Sequence, residues 1–85
     1  MAKYELVLRP SVIKDTKDIP SGDLKKILRR MESLRDDPRP PGCVKLSGLD
    51  YYRVRQGDYR IIYEIEDQRL VVVVVKIGHR RGIYR

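Results

Sequence analysis

The feature that most restricts the fold is an unbroken run of five valines, Val71–Val75, inside the segment RLVVVVVKIG. Valine branches at Cβ and favours extended backbone, so the run predicts a β-strand. A strand with one face in water alternates apolar and polar side chains, and this one has no polar residue before Lys76. We therefore expect it to lie centrally in a sheet, with both of its faces covered.

Two further strands precede the valine run, in the segments YYRVRQ and YRIIYEIE. They are separated by Gly57 and Asp58, and glycine at the first position of a two-residue turn suits a type II′ β-hairpin. This turn places Arg55 directly opposite Arg60. A second tight turn, at residues 67–68, is predicted to lead into the valine strand, which completes a three-strand meander.

The hairpin register sorts the side chains into two sets, because directly opposed residues of an antiparallel pair share a face. One set is mostly apolar and predicts a core face: Tyr52, Val54, Tyr59, Ile61, Tyr63 and Ile65. The other set is mostly polar: Tyr51, Arg53, Arg55, Arg60 and Glu64. A slip of one residue would turn the apolar set to water, so the register is well specified.

The N-terminal half supplies the cover for the core face. KYELVL predicts a strand, PSVIKDTKDI a short helix, and SGDLKKILRRMESLRDD a longer helix that the prolines of PRPPG end. The longer helix has one apolar stripe at helical spacing: Leu24, Ile27, Leu28, Met31 and Leu34. The predicted fold is α+β, with an N-terminal strand, two helices and a three-strand antiparallel meander. The helices pack on one face of the sheet, and residues 1–85 form a single domain.

The charge balance points to an anionic partner. Nineteen Lys and Arg against 12 Asp and Glu give a net charge of +7, and residues 51–85 alone carry eight cations against four acids. Nucleic acid or an acidic protein segment fits such a surface, although surplus cations can also serve solubility alone. A second group of cations lies off the apolar stripe of the longer helix: Lys25, Lys26, Arg29 and Arg30. These residues form either a solvated face or part of a partner surface.

Several classes of protein are disfavoured by the remaining composition. Cys43 is the only cysteine, which leaves no internal disulfide and no cysteine-based metal site. The first ten residues contain no apolar signal region, and the longest apolar run, Leu70–Val75, is far too short to span a membrane. We expect a cytoplasmic protein that uses no metal and no cofactor.

The pairing of Arg55 with Arg60 is the most informative feature for function. Like charges directly opposed across two strands destabilise a sheet by a few tenths of a kcal/mol, up to ~1 kcal/mol. Arg53 lies two residues away on the same face and adds to the repulsion. The arginines become useful if an anion binds between them, because guanidinium groups match phosphate oxygens in pairs. The alternative is that the three side chains spread into water.

The C-terminal tail adds a second group of functional side chains, His79, Arg80, Arg81 and Tyr84. Gly78 is predicted to turn the chain and bring this group near Arg60. A neutral His79 can accept a proton and return it, although it can equally be an ordinary turn residue. Tyr84 can stack on a base or donate its hydroxyl, or it can simply anchor the tail to the sheet.

This combination of side chains favours RNA as the substrate. The acids near the arginines, Asp58 and Glu64, do not form the carboxylate cluster that holds Mg²⁺. RNA carries its own nucleophile, the 2′-hydroxyl. An enzyme can cleave it without metal by placing a base at that hydroxyl, cations at the phosphate and an acid at the leaving oxygen.

The order of elements and three motifs, VKLSG, YYRVRQGDYRIIYEIED and IGHRRGIYR, make residues 3–85 resemble the RelE/ParE toxin superfamily, and most closely its RelE branch. The resemblance implies a small cytoplasmic ribonuclease encoded beside an antitoxin. Such toxins enter the ribosomal A site and cut mRNA there without metal. The implied partners are a RelB-like antitoxin, the ribosome and mRNA.

The resemblance also implies roles for individual residues. Arg53 and Arg55 match strand cations around the scissile phosphate, and Arg60 matches an arginine that stabilises charge in the transition state. Arg80 matches a phosphate contact and leaving-group acid, and Tyr84 matches a tyrosine that stacks on or orients the substrate base.

The remaining implied contacts lie at the turn and in the segment VKLSG, which is a short strand or a loop before the hairpin. His79 occupies a position that is basic in relatives, Arg81 is expected to contact RNA phosphate, and Lys45 is expected to contact rRNA or phosphate. Some relatives carry lysine where this chain has Arg53 and Arg55. Arginine is a poor general base because its pKa exceeds 12, which raises His79 as the base, ahead of Glu64.

Two other functions remain open on this fold. One is a ParE-like inhibitor of DNA gyrase, which would bind protein and cause DNA breaks without cutting message. The other is an RNA-binding module without catalysis, or a toxin that has lost its activity.

Overall fold

The computed structural model describes residues 3–79. Seven elements follow one another in that range: β1 (Glu5–Leu8), α1 (Pro10–Thr16), α2 (Ser21–Ser33), β2 (Val44–Lys45), β3 (Tyr51–Gln56), β4 (Tyr59–Glu66) and β5 (Val71–His79). This order confirms the predicted strand, two helices and meander. Neither helix in the described range is long and apolar enough to cross a lipid bilayer.

The five strands form one mixed sheet in the order β1-β5-β4-β3-β2. Strands β3, β4 and β5 are the antiparallel meander that the sequence predicts, and β2 extends it at the edge of β3. Strand β1 runs parallel to β5, with Glu5 beside Val71 and Leu8 beside Val74. Parallel neighbours cannot be joined by a tight turn, and the chain between these two strands carries both helices across one face of the sheet.

The valine strand β5 is interior, but β4 is the middle strand of the five. Val72 and Val74 are fully buried beneath the helices. Val73 and Val75 are only half-buried, because they lie on the face opposite the one that α1 and α2 cover. The prediction of a central strand covered on both faces is therefore correct for the interior position and wrong for the second face.

The β3–β4 hairpin has the predicted register. Gly57 has a φ of +59°, and Asp58 is not among the residues with positive φ, as a type II′ turn requires. Arg55 accordingly lies opposite Arg60, and Tyr52 lies opposite Tyr63.

The β4–β5 turn differs from the predicted two-residue turn, because it spans four residues, 67–70. Leu70 adopts a φ of +56°, and its N–H donates to the carbonyl of Asp67 at 3.3 Å. The carboxylate of Asp67 is held from outside the turn by Arg39 and Tyr4. The β5 strand consequently begins at Val71, two residues later than the sequence predicts.

A β-bulge interrupts the pairing of β4 with β5. Tyr63 opposes Val74 and Ile62 opposes Lys76, so β5 carries one extra residue at this point. Strict alternation from Val74 would turn Lys76 toward the core and Ile77 toward water. The bulge reverses the alternation, so that Ile77 is buried and Lys76 is exposed.

The core lies between the two helices and the face of the sheet that they cover. Its fully buried side chains come from both layers: Val12, Ile27, Met31, Leu34, Val54, Ile61, Tyr63, Val72 and Val74. Of the predicted helical stripe, Leu24 is only half-buried and Leu28 is 44% exposed. Both lie on one flank of the stripe, beyond the line along which α2 meets β3 and β4.

Polar contacts fix the connection between α2 and β2 to the sheet. The hydroxyl of Tyr63 donates to the carbonyl of Pro38 at 2.7 Å, and burial raises the pKa of this tyrosine. Arg39 donates two hydrogen bonds to Asp67, at 3.1 and 2.9 Å, and Tyr4 donates a third at 2.8 Å. The hydrogen bonds from Arg39 and then Tyr4 hold the pKa of Asp67 below its ordinary value.

Candidate functional site

Three arginines lie together on the open face, which is the face of the sheet opposite α1 and α2. Arg55 on β3 is directly opposite Arg60 on β4, and Arg53 is two residues from Arg55 on the same face. Directly opposed Cβ atoms are about 4.5–5.5 Å apart. We call Arg53, Arg55 and Arg60 the arginine cluster; its members share the face that the sequence predicts.

The arginine cluster lies beside a buried apolar side chain. Ile62 is directly opposite Arg53 and only 7% exposed. Arg53 and Arg60 are half-buried, and the Nε atom of each is shielded from solvent, whereas Arg55 is exposed. Half-buried stems limit the conformations of two guanidinium groups, which favours binding of an anion at a fixed position.

Lys76 adds a fourth cation that sequence reasoning missed. It opposes Ile62 from β5, so Arg53, Ile62 and Lys76 form one row across three strands. Gly78 opposes Arg60 in the next row, where β5 contributes no side chain. The segment VVVVVKIG did contain a signal for this position. Strict alternation along it would bury Lys76 and expose Ile77, which is unfavourable and so indicates a bulge.

Glu64, the open-face acid of β4 that is nearest to the cluster, lies away from it. Glu64 opposes Tyr51 and forms an ion pair with Arg9 at 3.8 Å. It is four residues from Arg60 along β4, or about 13 Å at the rise of a strand. Within residues 3–79, neither Arg55 nor Lys76 has a carboxylate within 4.0 Å. Their positive charge is therefore not neutralised by the described part of the fold.

His79 lies on the other face of the sheet. It opposes Tyr59, whose ring is 5.5 Å away at an interplanar angle of 83°, and both line a cavity of about 260 Å³ together with Asp15 and Asp18. The prediction that Gly78 turns the chain toward the arginine cluster is wrong, because β5 continues through it. The bulge that buries Ile77 also carries His79 to the helix side.

Lys45 is also separate from the arginine cluster. It opposes Tyr52, a residue of the core-facing set, and it is exposed at the edge strand β2. Together with Arg39 and Asp50 it lines a cavity of about 360 Å³. Arg80, Arg81 and Tyr84, which complete the predicted site, lie outside the described residues.

A comparison of the sequence with known families gives an extended match. The family model of the ParE toxin of the type II toxin-antitoxin system, parDE, matches residues 6–84. The matched span contains both helices, the sheet from Leu6 onward, the arginine cluster and the tail. The chain belongs to the RelE/ParE toxin superfamily.

Individual relatives place this toxin on the RelE side of the superfamily. It is 33% identical over 87 residues to RelE1 of Methanocaldococcus jannaschii, in an alignment that covers 98% of this chain and 97% of the relative. A shorter stretch of 34 residues, 40% of this chain, is 41% identical to the toxin RelG of Mycobacterium tuberculosis and covers 39% of it.

Solved structures show the same fold. The archaeal RelE of the RelE-RelB complex from Pyrococcus horikoshii OT3 superposes with a TM-score of 0.84 at 28% identity, over 94% of this toxin and 98% of that chain. A doubly substituted form of the E. coli toxin RelE in its free state superposes with a TM-score of 0.79 at 26% identity, over 98% and 88% of the two chains. This toxin is of the RelE type.

An open groove borders the arginine cluster of the toxin. Its volume is about 490 Å³. The lining is mostly apolar, from Leu46, Leu49, Tyr51, Ile62 and Val75, and it also contains Ser47 and two cations, Arg9 and Lys76. The groove and the cluster meet at Ile62 and Lys76. Nucleotides combine flat, weakly polar base faces with charged phosphates, so a strand of RNA has matching surfaces for both.

Proposed function

We propose that this toxin is a metal-independent endoribonuclease that cuts mRNA in the A site of the ribosome. The observation that carries the proposal is the pairing of Arg55 with Arg60, beside Arg53, on the open face of the sheet. Repelling cations held together on an open face favour occupation by an anion, and the adjoining apolar groove favours an anion that carries bases.

The proposed reaction is a transfer within the RNA strand. The 2′-oxygen passes its proton to solvent and attacks the neighbouring phosphorus. The bond from phosphorus to the 5′-oxygen breaks, and the 5′-oxygen takes up a proton. The products are a 2′,3′-cyclic phosphate and a 5′-hydroxyl, so no water and no metal enter the balance. Negative charge grows on the non-bridging oxygens, where Arg60 donates from a half-buried position while Arg53 and Arg55 hold the phosphate.

The arginine cluster does not accept the proton of the 2′-hydroxyl, because arginine stays protonated at neutral pH. His79 faces the helices and Glu64 lies about 13 Å from Arg60, so we assign neither of them this role. Following the resemblance, we assign the leaving-group proton to Arg80 and the orientation of the base to Tyr84. Lys76 is a further phosphate contact.

The toxin is proposed to bind two macromolecular partners in the cytoplasm. The surplus of seven positive charges suits ribosomal RNA, whose phosphates Lys45 and Arg81 contact. A RelB-like antitoxin is the second partner, because the relatives from Pyrococcus horikoshii and Methanococcus jannaschii were solved as RelE-RelB complexes. Antitoxin and ribosome would compete if the antitoxin covers the open face.

The direct test is to add the toxin to a translating extract and map message ends. We expect cuts inside translated frames, with 5′-hydroxyl and 2′,3′-cyclic phosphate ends. Intact message with a folded toxin would contradict the proposal.

A second candidate function is inhibition of DNA gyrase, because the matching family model is that of the ParE toxin. This function predicts DNA breaks in growing cells and uncut message in the extract. Gyrase supercoiling assays with the toxin therefore separate the two candidates, since a ribonuclease leaves supercoiling unchanged.

A further inference from the structure

The helix side of the toxin has a second cationic site. Four residues of α2 and one from the end of β3 line an open cavity of about 340 Å³: Lys26, Arg29, Arg30, Ser33 and Gln56. Gln56 lies opposite Tyr59 and so points to the helix side, while its neighbour Arg55 points to the open face. We call this cavity the α2 notch. The notch and the arginine cluster thus flank the same end of the β3–β4 hairpin.

The cations of the α2 notch are not neutralised within residues 3–79. Lys26 and Arg30 are four residues apart and therefore neighbours on one helix face, where like charges destabilise a helix by about 0.2–0.5 kcal/mol. Neither has a carboxylate within 4.0 Å in the described chain. The two acids of α2 do not pair with them: Asp23, three residues before Lys26, lies more than 4.0 Å from its ammonium, and Glu32 binds Arg35 at 2.6 Å. The fold gains nothing from placing these cations together.

Arg30 carries the second observation. Its Nε atom is buried and has no hydrogen-bond acceptor in the described structure. A buried donor without an acceptor costs free energy, about 1–3 kcal/mol in typical cases, which an incoming acceptor recovers. The hydroxyl of Ser33 donates to the carbonyl of Arg30 at 2.6 Å, so this nearby acceptor already has a side-chain donor.

The lining of the notch selects the class of ligand. Its side chains are donors of ammonium, guanidinium and amide type, which match the oxygens of a phosphodiester. The exposed apolar residue of α2, Leu28, lies about 200° around the helix from Lys26 and takes no part in the notch. A docking protein helix requires apolar anchors, which the notch does not offer.

We propose that the α2 notch binds a backbone phosphate of ribosomal RNA and orients the toxin on the ribosome, while the arginine cluster holds the message. This inference rests on the proposed function. The two sites lie on opposite sides of the hairpin end, so one continuous strand need not fill both. The notch contributes to binding on the ribosome and makes no contact with the scissile phosphate.

The test compares two variants that each lose two positive charges. Lys26→Ala/Arg30→Ala removes the notch cations, and the control Lys14→Ala/Lys17→Ala removes two exposed lysines at and just beyond the end of α1. Binding of each full-length variant to vacant 70S ribosomes is measured at several salt concentrations. We expect the notch variant to bind at least tenfold more weakly, with a slope of log K against log salt reduced by about 0.7–0.9, as the loss of one phosphate contact requires. The control should differ less than threefold from wild type.

Two further readouts separate this inference from the function on which it rests. Single-turnover cleavage at saturating ribosomes should stay within threefold of wild type for the notch variant, and Lys26→Glu covers the case in which loss of Arg30 impairs folding. Ribosome binding by the notch variant equal to that of the control would overturn the inference. So would a variant that binds the antitoxin more weakly but binds the ribosome as wild type does. Loss of affinity for a free mRNA oligonucleotide equal to that for the ribosome would also overturn it. Because vacant ribosomes contain no message, the binding result stands even if wild type cuts nothing.

Discussion

Arg55 and Arg60 lie directly opposite each other across the β3–β4 hairpin, on the open face of the sheet. A pairing of like charges is unfavourable for the sheet, and Arg53 on the same face increases the repulsion. The chain nevertheless keeps all three, with two of them half-buried against Ile62. A phosphate bound between the three side chains would relieve this repulsion, which links the unfavourable pairing to the function proposed for the toxin.

The first prediction follows from that repulsion. Arg55→Ala should raise the free energy of unfolding by a few tenths of a kcal/mol while it lowers message cleavage. Urea unfolding at low and high salt provides the measurement, and the gain should shrink as salt screens the charges. Arg69→Ala is the matched control, because Arg69 pairs with Glu66 at 3.2 Å and its loss relieves no repulsion. A destabilised Arg55→Ala protein would argue against the repulsion.

The second prediction concerns His79, whose ring packs against Tyr59 on the helix side. His79→Ala should leave single-turnover cleavage on the ribosome within threefold of wild type, because the ring is on the face opposite the arginine cluster. The pH dependence of cleavage should be the same in both proteins. A fall of a hundredfold or more would show that His79 does move a proton in the reaction.

The third prediction concerns Lys76, which shares a row with Arg53 and Ile62. Lys76→Ala should weaken RNA binding about fivefold and reduce the salt dependence by roughly one phosphate contact. Lys17→Ala, which removes an exposed lysine beyond the C-terminal end of α1, is the control. Equal effects of the two substitutions would mean that Lys76 acts only through net charge.

The fourth prediction concerns acid stability. Hydrogen bonds from Arg39 and Tyr4 lower the pKa of Asp67 in the folded state below its ordinary value of 3.8. A lowered pKa means that the stabilisation is complete above the unfolded value and is lost as pH falls through the folded one. Asp67→Asn should therefore reduce stability at pH 7 and flatten the acid limb of the stability curve, whereas Asp36→Asn should do neither. Urea titrations between pH 7 and pH 2.5 measure both effects.

Much of the fold follows from local sequence rules. The Gly57-Asp58 turn and strict alternation on both flanking strands determine the hairpin register, and with it the face of every side chain from Tyr51 to Ile65. The apolar spacing in α2 gives the helix that covers this face. These features depend on residues that are near one another in the chain, which explains why the sequence alone predicts them.

The tail side of the site could not be predicted in the same way. The four-residue turn at 67–70 depends on Asp67 binding Arg39, a residue 28 positions away. The bulge opposite Ile62 depends on a competition between burying Ile77 and burying Lys76. Each event shifts the β5 register by one or more residues. Together they place Lys76 on the open face beside the arginine cluster and His79 on the opposite face. The parallel partner of β1 is likewise set by packing across the whole chain.

The most direct test of the account is single-turnover cleavage of message on saturating ribosomes by Arg60→Ala, alongside its ribosome affinity. If the half-buried Arg60 stabilises charge in the transition state, the cleavage rate should fall by about 10²–10³-fold while affinity changes less than threefold. Arg69→Ala, at the far end of the meander, should keep both values. Cleavage by Arg60→Ala at the wild-type rate, or a loss of rate matched by an equal loss of affinity, would contradict the central claim that the arginine cluster acts on the scissile phosphate.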